Sequence, residues 1–90
     1  MDIRTVFGRN LRRCRLAAGL SQEAVAERMG VDRAHVSSME RGQQNVTLLT
    51  IWQAAQALGR KPAEFLDEEA ATATASEGVA KAPRRRRTKL

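Results

Sequence analysis

The sequence predicts an all-α protein: a compact five-helix domain with a disordered basic C-terminal tail. Three observations lead there. Apolar residues recur at helical spacing through most of residues 3–66, and no run alternates as a strand does. Gly19, Gly30, Gly42 and Gly59 cut that pattern into short segments, each standing where a helix stops. Ser21, Asp32 and Thr47 occupy the positions where the following helix needs an N-cap.

The first helix is expected from Ile3 or Thr5 to Ala18, with Val6, Phe7, Leu11 and Cys14 on its inner face and Arg9, Arg12 and Arg13 largely outside it. Gly19 ends it and Leu20 plugs the turn. Ser21 caps the second helix, Gln22 to Met29. Gly30 supplies the next turn, and Asp32 caps a third helix running from Arg33 to about Arg41, closed by Gly42. Val25, Met29, Val31, Val36 and Met39 bury one side of each of these two helices and make them cross at the glycine. The loop Gln43 to Val46 leads to Thr47, which caps the fourth helix, Leu48 to Leu58. Its expected buried stripe is Leu48, Ile51, Trp52, Ala55 and Leu58, so Trp52 reads as a core residue. Gly59 stops it, and Pro62 suits the first turn of a short fifth helix ending near Leu66 or Asp67.

Composition changes after Asp67. EEAATATASEGVAKAP has little to bury and RRRRTKL follows, so residues 1–67 are expected to form the domain. Residues 68–90 are expected to form a flexible Ala/Thr/Glu-rich and then Arg-rich tail, disordered or marginally helical. Ten of the 16 Lys/Arg and six of the 10 Asp/Glu fall within residues 1–66, so the folded part is basic without help from the tail.

A chain of 90 residues has room for one small core. Phe7, Trp52 and Phe65 are its aromatic residues, so that core is aliphatic and modest, and dimerisation is a natural source of further stability. A net charge of +6 favours an anionic partner such as nucleic acid. One cysteine, Cys14, makes no internal disulfide, and with one histidine, His35, it makes no zinc site. Cys14 reads as a small buried residue and His35 as a flank residue of the third helix. No metal, cofactor or small-molecule ligand is expected. No Ser/His/Asp grouping, paired carboxylates or phosphate-cradling glycine loop points to an enzyme. No apolar run approaches the roughly 18–20 residues of a membrane span. The start, MDIRTVFGRN, carries charges where a signal peptide needs an apolar segment, so the expected location is the cytoplasm, on the nucleoid.

The third helix carries the functional signal. At about 100° per residue, Arg33, Ala34, Ser37, Ser38 and Arg41 share one side, while Val36, Met39, Glu40 and His35 fall on the other. The outer side is small, polar and basic, which suits a helix lying in the major groove of DNA. Arg33, in the first turn, is placed to donate two hydrogen bonds to a guanine edge. Ser37 and Ser38 suit several bases or simply permit close approach, and the Ala34 methyl suits a thymine methyl. Arg41 lies at the far end, nearer phosphate. The start of the second helix with Gln22 offers a further anion site, and the loop Gln43, Gln44, Asn45 offers another at the opposite edge of the groove. Leu49 falls off the inner stripe of its helix. With Phe65 and Leu66 it makes a candidate dimer patch.

LSQEAVAERMGV, then DRAHVSSMERG, then N-x-TL and ALG, occur in this order and resemble the lambda-repressor-like (Xre-type) helix-turn-helix family. The resemblance spans roughly residues 6–66 and is nearest to small stand-alone regulators such as the controller proteins of restriction–modification systems. It implies a five-helix domain that binds a palindromic operator in double-stranded DNA as a homodimer. It also implies base-facing positions at Arg33, Ala34, Ser37 and Ser38, with Gln22, Arg41, Gln43 and Gln44 near the backbone. By the same resemblance Arg15 and Glu40 form a structural ion pair. Ala34 stands where Gln or Thr is often found, which puts more of the readout on Arg33, and Val46 stands where proline is common. The expected function is sequence-specific regulation of transcription, by default repression, often of the regulator's own gene. With no sensor domain expected, control comes through concentration and occupancy. An antitoxin-like or adaptor module that binds another protein stays open as the alternative, as does nonspecific nucleoid or RNA binding through the arginine tail.

Overall fold

A computed structural model of the chain describes residues 1–73. Helices run over Ile3–Ala17 (α1), Gln22–Met29 (α2), Arg33–Glu40 (α3) and Leu48–Leu58 (α4), followed by a 3₁₀ helix at Pro62–Leu66. No strand occurs among the described residues. The all-α, five-helix architecture is the one expected, with α3 ending one residue early. The expected Arg-rich run at residues 84–87 lies outside the described residues.

Local chemistry sets the starts. The Asp2, Ser21 and Thr47 side chains accept the backbone N–H groups of Arg4, Ala24 and Thr50, which satisfies donors that a helix leaves open in its first turn. Asp32 differs: its side chain makes no capping bond, and its backbone oxygen receives the N–H groups of His35 and Val36.

The core is drawn from every element. Phe7, Leu11 and Cys14 of α1 meet Val25, Ala26 and Met29 of α2, Val36 and Met39 of α3, Ile51, Ala54, Ala55 and Leu58 of α4, and Phe65. α1 backs onto α3 and the 3₁₀ helix, and α2 lies between α3 and α4. Two glycines set how closely α1 approaches α3. A Cβ on Gly8 would stand 2.3 Å from the Met39 carbonyl oxygen, so the helix backbones touch there. Gly42 turns the chain out of α3 at φ +75°, and a Cβ there would lie 2.9 Å from the Thr5 Oγ1. The first turn of α1 is therefore pressed against the turn that follows α3.

Two expectations are corrected. α4 buries Ile51, Ala54, Ala55 and Leu58, whereas Leu48 is 84% and Trp52 53% exposed. The two alanines draw α4 close to its neighbours; Trp52, about 100° on from Ile51, is turned to the surface. Phe65, expected in a dimer patch, is wholly buried. Its ring packs against Phe7 with centroids 6.0 Å apart, so it serves the core of its own chain. Of the tail expected to be disordered or marginally helical, residues 68–73 are helical, and Ala71 is buried. Asp67 Oδ1 accepts the Ala70 N–H and so caps this segment. Buried Asn10 ties its start to α1 by donating from Nδ2 to the carbonyls of Phe65 and Asp67, at 3.1 and 3.0 Å.

Candidate nucleic-acid interface

The outer face of α3 is set by what its inner face buries. Val36 and Met39 are sunk in the core, which turns Arg33, Ala34 and Arg41 to solvent and leaves Ser37 and Ser38 half-buried beside them. His35 is exposed as well.

Hydrogen bonds tie this face to its surroundings. Arg33 Nη1 donates to Gln22 Oε1 at 3.0 Å, and Gln22 Nε2 donates to Glu40 Oε1 at 3.1 Å. Glu40 in turn receives Arg15 Nε at 2.6 Å and Nη2 at 3.0 Å, and Arg15 Nη1 donates to the Leu20 carbonyl at 2.9 Å. Both charged side chains of that ion pair are largely shielded, 10% and 4% exposed. A continuous chain of polar bonds thus runs from the end of α1, through α3 and the start of α2, to the first residue of α3.

The far end of α3 is organised by the following loop. Arg41 donates to the Ser37 hydroxyl and, at 3.3 Å, to Gln43 Oε1, while Gln44 Nε2 donates to Ser38 Oγ at 2.9 Å. Asn45 Oδ1 receives Arg4 Nη1 at 3.4 Å. Gln22 with Arg33 therefore forms one edge of the surface and Gln43, Gln44 and Asn45 the other. Of the three residues expected in a dimer patch, Leu49 is 62% and Leu66 39% exposed. They line a groove with Leu48, Ile51, Trp52, Pro62 and Ala63.

Sequence reasoning passed over Arg4, Gly8 and Asn10. Arg4 had no visible tie to Asn45, 41 residues away. Gly8 was legible as a glycine inside a helical pattern, which commonly marks close packing. Asn10 was legible as a polar residue between Phe7 and Leu11 on the apolar face. Around Arg4 the electrostatics are marked. Asp2 accepts its side chain and its backbone N–H, which lowers the Asp2 carboxyl from 3.8 to about 2 and raises the Arg4 guanidinium.

This arrangement has known counterparts. Residues 11–65 match the family described as helix-turn-helix. The chain is 42% identical over 66 residues to an uncharacterised HTH-type transcriptional regulator, y4dJ, of Sinorhizobium fredii, covering 73% of this chain and 86% of that one. It is 39% identical over 67 residues to the control protein C.BamHI of Bacillus amyloliquefaciens, covering 73% and 83%. Among solved structures, the restriction–modification controller protein C.AhdI of Aeromonas hydrophila superposes with a TM-score of 0.66 at 47% identity, over 69% of this chain and 94% of that one. With the fold, the exposed face of α3 and these relatives in agreement, the chain belongs to the helix-turn-helix family of DNA-binding transcription regulators.

Proposed function

We propose that this chain binds a palindromic operator as a homodimer and represses transcription, its own gene included, by covering a promoter. The carrying observation is the outer face of α3: two arginines framing Ala34, Ser37 and Ser38, with Gln22 at one edge and Gln43, Gln44 and Asn45 at the other. In this reading Arg33 reads a guanine edge, Ala34, Ser37 and Ser38 allow close approach and add contacts, and Arg41 with the two edges holds phosphates. Likeness to C.AhdI, a restriction–modification controller protein, supports the role of a small regulator. The second copy docks through the apolar surface of Leu48, Leu49, Trp52 and Leu66, a larger patch than Leu49 and Leu66 alone. Arg15 and Glu40 take the structural part, holding α1 to α3. The place of action is the cytoplasm, and neither enzymatic activity nor a small ligand enters the reading.

Selection of bound sequences from a random DNA pool tests this. The expected product is a palindrome with half-sites one helical turn apart, about 34 Å, and Arg33→Ala erases the base preference while the dimer persists. Selected sequences without symmetry, or a preference indifferent to Arg33→Ala, overturn it.

A further inference from the structure

We propose that Arg4 is a further phosphate-binding residue of the DNA surface, and that Asp2 is its built-in competitor, occupying the guanidinium in the free protein. The inference rests on the DNA-binding reading above and adds to it a contact from α1.

Three observations place Arg4 there. Gly42 packs against Thr5, which fixes the first turn of α1 beside the turn leaving α3. Gln43 and Gln44 of the loop that follows are bonded to Arg41 and Ser38 on the outer face of α3, and Asn45, next in that loop, is bonded to Arg4. The polar rim of the α3 surface thus extends through Asn45 to the Arg4 guanidinium of α1.

The state of Arg4 shows what it is shaped to hold. The Asp2 carboxylate spans one edge of the guanidinium, its Oδ1 receiving Nε at 2.9 Å and its Oδ2 receiving Nη2 at 3.0 Å. Two anionic oxygens across an arginine fork is also the geometry of an arginine on a phosphodiester. Both side chains are about half exposed, at 44% and 50%, so the exchange of one anion for another needs no opening of the core. Asp2 Oδ1 also caps α1 through the Arg4 N–H at 2.8 Å, a bond that survives if the side chain of Arg4 leaves. Asp2, an ordinary carboxyl of 3.8 lowered further by Arg4, competes as an anion throughout the neutral range. Asp2 therefore tempers the attraction of Arg4 to any DNA phosphate, and a phosphate held beside Arg4 when α3 lies on a duplex displaces it.

The test is a salt titration of binding to the duplex this chain selects and to a scrambled duplex, with the full chain and three variants: Arg4→Gln, Asp2→Asn and the double. Asn caps a helix as well as Asp does, so Asp2→Asn removes charge and keeps the start of α1. Arg4→Gln should weaken both duplexes, leave the preferred sequence unchanged and reduce the salt slope by about 0.9 per protomer. For a dimer this makes the affinity lost between about 50 and about 200 mM salt roughly 12-fold smaller than in the parent. Asp2→Asn should tighten binding several-fold, and that gain should vanish in the double variant. An unchanged slope in Arg4→Gln overturns the proposal. So does a gain from Asp2→Asn that persists without Arg4, since Asp2 then acts by repelling DNA on its own. Arg33→Ala separates the two readings. If it erases sequence preference while Arg4→Gln changes nothing, only the Arg4 contact falls; if neither matters, the operator reading falls with it.

Discussion

The Arg15 guanidinium straddles the Glu40 carboxylate, 2.6 Å from Nε and 3.0 Å from Nη2, and so clamps the end of α1 to the last turn of α3. The pair is shielded, and Gln22 completes it by donating to the same carboxylate. Removing one partner leaves a buried charge without its counterion, which costs about 3–5 kcal/mol. Glu40→Gln should therefore lower stability by that order in denaturant unfolding. It also changes what Gln22 meets, and through Gln22 the position of Arg33, so base preference should relax even at temperatures where the variant is folded. Unfolding curves and binding to the selected and scrambled duplexes check the two effects separately.

Gly8 sits where α1 has no space for a side chain. A Cβ would lie 2.3 Å from the Met39 oxygen and 2.8 Å from the Glu40 oxygen, both backbone atoms that cannot rotate aside. Gly8→Ala gains helix propensity but must push α1 and α3 apart, and overpacking of this kind costs about 1–3 kcal/mol. Because α3 carries the DNA surface, operator affinity should fall more than stability alone explains. A variant as stable as the parent would show that the helices separate freely.

Phe65 and Leu66 are neighbours with opposite fates. Phe65 is buried against Phe7, while Leu66 is partly exposed beside Leu49 and Trp52. Phe65→Ala should destabilise the folded chain by about 3–5 kcal/mol. Leu49→Glu and Leu66→Glu should leave helicity and the unfolding midpoint of the monomer nearly unchanged and shift self-association toward monomer. Sedimentation equilibrium beside circular dichroism distinguishes these outcomes.

What the sequence revealed followed from local chemistry. Helix limits at Gly19, Gly30 and Gly59, and caps at Ser21 and Thr47, depend on a few adjacent residues, and so were legible. The outward side of α3 was legible too, because Val36 and Met39 leave one choice of inner face. Features set by distant partners were not. Trp52 and Leu48 fit a helical stripe as well as Ala54 does, and only the close approach of α4 to its neighbours decides which is covered. That residues 68–73 are anchored to the domain was not legible in their composition, since one buried alanine and a carbonyl tie from Asn10 leave no trace there. The Arg4–Asn45 contact joins residues 41 apart and has no periodic signature.

Acid should weaken the fold through two carboxylates, exposed Asp2 and partly buried Glu64. Arg4 holds Asp2 near 2 instead of 3.8, and the Lys61 N–H, followed by the Arg60 side chain, lowers Glu64. A carboxyl lowered in the folded state contributes stability above its unfolded value and loses it as pH falls toward its folded value. Thermal midpoints should therefore hold steady from neutral pH to the ordinary carboxylate range and decline below it, for Asp2 between 3.8 and about 2. Asp2→Asn should flatten part of that decline. A midpoint already falling between pH 7 and pH 5 would point to other groups.

Cys14 gives the opposite limb. It is wholly buried among the core residues of α1, and burial raises its thiol above 9.0 despite the nearby Arg13 and Arg60 cations. A thiol held protonated in the folded state lends stability at lower pH that fades once the unfolded chain begins to ionise, so stability should drop as pH rises past 9.0. The same burial withholds the thiolate that thiol reagents attack. Labelling of the native protein near pH 8 should therefore be slow, follow the rate or extent of unfolding, and accelerate in Glu40→Gln and Gly8→Ala as they loosen the core. Rapid labelling with the fold intact would mean that Cys14 reaches solvent by local opening of α1, and would make it a candidate for redox control.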